Sequence, residues 1–157
     1  MKQETKNKKQ EYLTTNSSQT KKIGEKFAKD ILKKKPQKTA FIFGLEGELG
    51  GGKTTFLQGF AEGLGIKENI TSPTFVIMKK FKVPGFKFQE FYHLDCYRIK
   101  KPKELLGFGF EEIISNPYNI IVIEWADRIK KIMPQNTIWV KFDFIDETKR
   151  KISIENF

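Results

Sequence analysis

Gly47-Glu48-Leu49-Gly50-Gly51-Gly52-Lys53-Thr54-Thr55, the stretch GELGGGKTT, matches G-x-x-x-x-G-K-[ST] at every fixed position. Glycines let the backbone turn inward, so that successive N–H groups converge on phosphate oxygens, and a following helix adds its positive N-terminal end. Gly47, Gly50, Gly51 and Gly52 are therefore the candidate cradle. Lys53 reaches the β and γ phosphates of a nucleotide, the Thr54 hydroxyl is placed for Mg²⁺, and Thr55 is near enough to donate to another phosphate. The flanks supply the required context. Residues 39–45, TAFIFGL, read as a buried strand that stops at the glycine cluster. Residues 53–64 read as a helix with Phe56, Leu57, Phe60 and Leu64 on its inner face and Gly65 as its stop.

Working outward, residues 119–124, NIIVIE, form a continuous apolar run ending in an acid, the pattern of a central parallel strand whose C-terminal edge lines a site. Glu124 is thus the first candidate for a magnesium-associated acid. Asp95 ends another strand within His93-Leu94-Asp95-Cys96-Tyr97-Arg98, and is a candidate to orient an attacking water or hold a metal-bound one. His93, the single histidine, reads first as a structural hydrogen-bonding residue and second as a base. Arg98 suits either phosphate charge or a pairing with Asp95. Residues 74–83 and 86–95 are β-rich around Pro84-Gly85 and predict an antiparallel hairpin. Helices are expected over 20–34, 102–106, 110–115 and 126–132, and strands over 137–144 and 151–157. The expected fold is α/β: a single P-loop NTPase-like domain, with a mixed sheet of central parallel strands, flanking helices and antiparallel edge strands.

A chain of 157 residues fits one domain, and folding at that size hides roughly 70% of the surface exposed by the unfolded chain. Its 38% hydrophobic content and 15 phenylalanines provide the core, whereas no apolar run approaches a membrane span. The N-terminus has no apolar stretch resembling a secretion signal, so a cytoplasmic setting is expected. Lone Cys96 offers neither a disulfide within the chain nor a metal cluster. The net charge of +10 is unevenly spread: residues 1–38 hold 12 lysines against four acids. Residues 1–16 are unpatterned and are expected to form a basic flexible tail, either solvated or in contact with RNA or a partner, preceding a domain over 17–157.

The remaining motifs narrow the chemistry. The guanine-reading N-K-x-D and the switch D-x-x-G are both missing, so ATP is the better nucleotide. Only three arginines occur, Arg98, Arg128 and Arg150, too scattered for the arginine-rich lid of a small-molecule kinase. A nucleotide-gated binding module with incidental hydrolysis, or a small-molecule kinase without such a lid, remains as the alternative to an ATPase.

Four signatures together, GELGGGKTTF at 47–56, SPTF at 72–75, HLDCYR at 93–98 and EW at 124–125, resemble the bacterial TsaE family, also called YjeE. ELLGFGFEEII at 104–114 adds to the likeness, which extends over about residues 17–154. The resemblance implies an Mg²⁺-dependent ATPase of tRNA threonylcarbamoyladenosine biosynthesis, weak alone, working with TsaD and TsaB near their interface. TsaD transfers the threonylcarbamoyl group to adenosine 37; a TsaE-like protein supplies the ATPase step for repeated turnover. It further implies phosphate and metal roles for Lys53 and Thr54, a metal-associated role for Glu124, and a second functional acid in Asp95. Trp125 matches an aromatic beside the active site, a position that packing also explains. Thr74 lies in Ser72-Pro73-Thr74, which resembles a mobile loop sensing the γ-phosphate and also reads as a plain loop before a strand. Near the ends of the likeness, Ser17, Lys149 and Arg150 are candidate neighbours of adenine or ribose that no motif assigns. The basic tail exceeds the family pattern, and tRNA contact through it or within the complex is a separate expectation.

Overall fold

The computed structural model describes residues 9–48, 50, 52–71 and 78–157. Seven strands form one sheet in the order β1-β7-β6-β2-β5-β4-β3. They are β1 (Lys9–Thr14), β2 (Phe41–Gly47), β3 (Met78–Lys82), β4 (Glu90–Asp95), β5 (Asn119–Glu124), β6 (Ile138–Phe144) and β7 (Arg150–Glu155). The central strands β6, β2, β5 and β4 run parallel, whereas β1, β7 and β3 join antiparallel at the two sides. The mixed α/β sheet expected from the sequence is the one observed.

Why the parallel centre is hydrophobic on both faces follows from its coverings. Two helices, α1 (Ser17–Lys33) and α2 (Lys53–Gly63), lie on one face. Phe27 and Ile31 of α1 and Phe56 and Phe60 of α2 share a core there with Phe43, Phe91, Val122 and Val140 of the sheet. Edge-to-face ring contacts, including Phe43 with Phe60 at 4.8 Å between centroids, give this core its specific fit. Alternate residues of the same strands, Ile42, Leu94, Ile121 and Ile123, face the other layer. That layer contains α3 (Phe110–Ser115) and two 3-10 helices, Pro102–Phe108 and Ala126–Ile132.

The two long helices approach closely because glycines replace side chains where they cross. A Cβ at Gly59 would collide with the Lys21 carbonyl oxygen, and one at Gly24 with that of Phe56. Gly59→Ala is expected to destabilise the fold by about 1–3 kcal/mol or more, since backbone must separate to admit the methyl group. Chemical denaturation checks this, with Gly107→Ala as control because a Cβ there meets nothing within 4 Å.

Three expectations change. Residues 9–14, read with the flexible tail, form edge strand β1, with Lys9 opposite Glu155 and Thr14 opposite Arg150 on β7. Composition hid it because an edge strand buries little: Tyr12 packs edge-on to Phe27 at 6.0 Å, while Glu11 sits between Lys9 and Lys151 at the surface. Of the expected hairpin, residues 74–77 lie outside the described residues, the second strand starts at Glu90 rather than Phe86, and a connection closed by Val83 N–H donating to the Gln89 carbonyl replaces a tight Pro84-Gly85 turn. Finally, 126–132 is a 3-10 segment with non-helical Ile129 at a kink, so the apolar spacing there does not make a continuous α-helix.

Candidate functional site

The C-terminal ends of β2, β5 and β4 lie side by side, with Leu45 opposite Glu124 and Glu124 opposite Asp95. Strand alternation puts Glu124, Asp95 and His93 on the α1/α2 face, continuing the rows that contain Val122 and Phe91. Beyond β2 the chain turns through left-handed conformations at Gly50 (φ +79°) and Gly52 (φ +95°), which L side chains disfavour. Gly47 is bound by space as well: a Cβ would lie 2.5 Å from the Phe142 carbonyl oxygen. Helix α2 then starts at Lys53 with no side-chain cap and no acid in its first turn, so its leading amides are available to an anion.

Lys53 is only 6% exposed. Its ammonium donates to the carbonyls of Gly47 (2.5 Å) and Glu48 (2.9 Å) and lies 4.2 Å from the centre of the Trp125 ring. Burial pushes its pKa down, opposed by the negative charges of Glu124, Asp127, Asp95 and Glu48. One helical position later, the Thr54 hydroxyl donates to Glu124 Oε1 at 3.1 Å. Glu124 is buried, and its Oε2 lies 2.8 Å from Nε2 of the equally buried His93. This brings an ammonium, a hydroxyl and a carboxylate together from β5 and α2, although 70 residues separate Thr54 from Glu124.

Trp125 follows in a left-handed conformation (φ 57°, ψ 38°), a strained backbone for a bulky residue. Its ring packs against Tyr97 with 5.1 Å between centroids, and the Arg128 guanidinium lies 5.5 Å from its centre. Trp125 therefore both packs and faces the Lys53 charge. Asp95 accepts from the Tyr97 N–H at 2.9 Å and is not among the residues lining the cavity described next. Arg98 is exposed on the turn after β4 and is likewise outside that lining. Cys96 is buried, its thiol pushed up to about 12 by desolvation and then by Asp95 and Asp127, so it remains a protonated core residue. Gly51, Thr74 and the rest of SPTF lie outside the described residues.

A cavity of about 550 Å³ opens over this constellation, within the range of small-molecule sites. Gly50, Gly52, Lys53, Thr54, Thr55 and Glu124 line one part. The other part comes from the β1–α1 junction, at Thr15, Asn16, Ser17 and Thr20, and from the β6–β7 turn, at Glu147, Thr148 and Arg150. Ser17 and Arg150 are thus brought to the cavity, and Lys149 is not among its lining. Sequence reasoning missed Thr15, Asn16, Thr20, Glu147 and Thr148. For Asn16 a signal existed: its side chain caps α1 by accepting from the Gln19 N–H at 2.9 Å.

Arg150 has a role of its own. Its Nε donates to the Gly50 carbonyl at 2.9 Å, while Nη1 donates to the carbonyls of Asp146 and Lys149. The guanidinium thereby ties the β6–β7 turn to the glycine loop.

The family model for threonylcarbamoyl adenosine biosynthesis protein TsaE matches residues 14–152. A tRNA threonylcarbamoyladenosine biosynthesis protein TsaE from Rickettsia typhi is 38% identical, over 92% of this chain and 95% of its own length. The protein of the same name from Haemophilus influenzae is 34% identical, over 81% and 77% respectively. The crystal structure of Bacillus subtilis YdiB superposes with a TM-score of 0.73 at 30% identity, covering 95% of this chain and 86% of that one.

Proposed function

Since this chain belongs to the TsaE family, we propose that it is the ATP-hydrolysing component of tRNA threonylcarbamoyladenosine biosynthesis and couples hydrolysis to turnover of TsaD and TsaB. The observation that carries the reading is the Lys53, Thr54 and Glu124 constellation beneath the glycine loop, in a cavity large enough for a nucleotide. The residues fit an Mg²⁺-nucleotide. Loop amides and an ammonium suit phosphate, while a hydroxyl beside a carboxylate offers the hard oxygens that Mg²⁺ prefers. Among the described residues no three His, Cys, Asp or Glu side chains form a metal cage, and Mg²⁺, which usually keeps waters and substrate phosphates as ligands, would need only the Thr54 and Glu124 oxygens from the protein.

Lys53 turns from the Gly47 and Glu48 carbonyls to the β and γ phosphates, and the α2 amides hold the same oxygens. Thr54 and Glu124 are the residues that would hold Mg²⁺, which would supply positive charge to neutralise the phosphates. Water adds to the terminal phosphorus, the bond to the bridging oxygen breaks, and ADP, phosphate and a proton leave. Lys53 and the loop amides stabilise the charge that grows on the phosphate oxygens. Glu124 touches Thr54 and lines the cavity, which makes it the better placed acid for the metal, and the second candidate acid, Asp95, stands beside it in register outside that lining. The nucleoside end lies against the β1–α1 junction and the β6–β7 turn.

No helix among the described residues is long and apolar enough to cross a membrane, and the proposed setting is the cytoplasm, with tRNA met within the assembly. Reconstitution tests the reading. ATP turnover is expected to be slow for the chain alone and to rise with TsaD and TsaB, and many rounds of tRNA modification are expected to require it. Equal multiple-turnover modification with a non-hydrolysable ATP analogue overturns the coupling role in favour of a nucleotide-gated binding module.

A further inference from the structure

His93 is the chain's single histidine, is fully buried, and has no part in the mechanism above. It lies on β4 two residues before Asp95, opposite Val122, so the Glu124 side chain reaches back along the sheet to meet it. The two carboxylate oxygens of Glu124 then have different partners, Thr54 on Oε1 and His93 on Oε2.

The chemistry of this contact fixes a hydrogen. An ionised carboxylate only accepts, so the 2.8 Å contact requires the hydrogen on Nε2. Among the described residues, buried Nδ1 has no hydrogen-bond partner. The opposite tautomer would bury an N–H with no acceptor among the described residues and aim the Nε2 lone pair at a carboxylate oxygen. We propose that His93 is a positioning residue that, by donating from Nε2 to Oε2, holds Glu124 with Oε1 directed at Thr54 and the glycine loop. This inference rests on Glu124 being the metal-side acid of the proposed ATPase.

Two measurements test it. With one histidine, ¹⁵N spectra of the untagged chain contain a single imidazole. The expected signature is a protonated Nε2 and a bare Nδ1, both perturbed by Glu124→Gln. A hydrogen on Nδ1, or resonances indifferent to Glu124→Gln, overturns the contact. This readout needs no nucleotide, so it stands even if the ATPase reading fails.

The second compares His93→Leu, which removes the donor, with His93→Gln, whose amide nitrogen reaches about as far as Nε2. Calorimetry of ADP binding with and without Mg²⁺ is expected to show an Mg²⁺-dependent component weakened about 10- to 100-fold in His93→Leu, the usual effect of removing a partner behind a metal ligand. Metal-free binding should change little, and His93→Gln should recover most of the loss. If His93→Leu fails to fold, His93→Gln is decided against wild type and Glu124→Gln. Metal dependence near wild type supports the proposal, and one as weak as that of Glu124→Gln overturns it. Equal Mg²⁺ dependence in folded His93→Leu and wild type reduces His93 to packing.

Discussion

Lys53→Ala is expected to weaken ATP binding about 10- to 150-fold while leaving the protein folded. The affinity loss corresponds to about 1.5–3 kcal/mol for a charge-assisted hydrogen bond to phosphate. The fold should tolerate the change because Lys53 is held at a desolvation cost, visible in its lowered pKa. Its two carbonyl partners lie in the glycine loop, where Glu48 is exposed to water. Titration calorimetry gives the affinity and thermal unfolding gives the stability. Unchanged affinity in a folded Lys53→Ala variant would remove the phosphate assignment, and with it the basis for calling the cavity a nucleotide site.

Glu124→Gln is expected to lower ATP turnover roughly 100-fold or more and to weaken its dependence on Mg²⁺. Glutamine keeps the length but offers one accepting oxygen to two donors, Thr54 and His93, so the variant removes the charge together with one of these contacts. Binding should suffer less than turnover, because Lys53 and the α2 amides still hold the phosphates. Steady-state kinetics over a range of Mg²⁺ concentrations separates the two effects. Turnover equal to wild type would leave Glu124 a structural link between β5, α2 and His93. A parallel loss in affinity and rate would instead mean that its charge acts on bound nucleotide generally.

Together these variants separate two jobs that the geometry places within one cavity. Lys53 belongs to the glycine loop and carries the positive charge; Glu124 belongs to the neighbouring strand and carries the negative one. Trp125 borders the first and directly follows the second, its strained backbone turning the chain sharply after β5. Arg150 braces the loop from outside through Gly50.

Much of this was legible in the sequence, for physical reasons that differ between segments. GELGGGKTT could be read because glycine, lysine and threonine at those spacings satisfy a local demand: a turned backbone, a cation and a hydroxyl at the head of a helix. NIIVIE was legible as a central strand because burial on both faces leaves an unbroken apolar run, and every residue of β5 is buried. Edge strand β1 was not, since KQEYLT turns only Gln10, Tyr12 and Thr14 inward, Gln10 accepting from the Tyr12 hydroxyl, and leaves its other positions to solvent and ion pairs. The wall of the cavity opposite the glycine loop was equally hidden. Asn16, Ser17, Glu147 and Thr148 are ordinary turn and cap residues, and only the pairing of β1 with β7 and of β7 with β6 carries both turns to the glycine loop.

The sequence by itself thus determined the glycine loop, the parallel core and the identity of the acid at the end of β5, because each depends on neighbours within a few residues. Tertiary structure alone decided what that acid touches. Thr54 is 70 positions before Glu124 and His93 is 31 before it. Their meeting follows from α2 folding back over the sheet and β4 pairing alongside β5, relations of packing and register that local residue patterns do not encode.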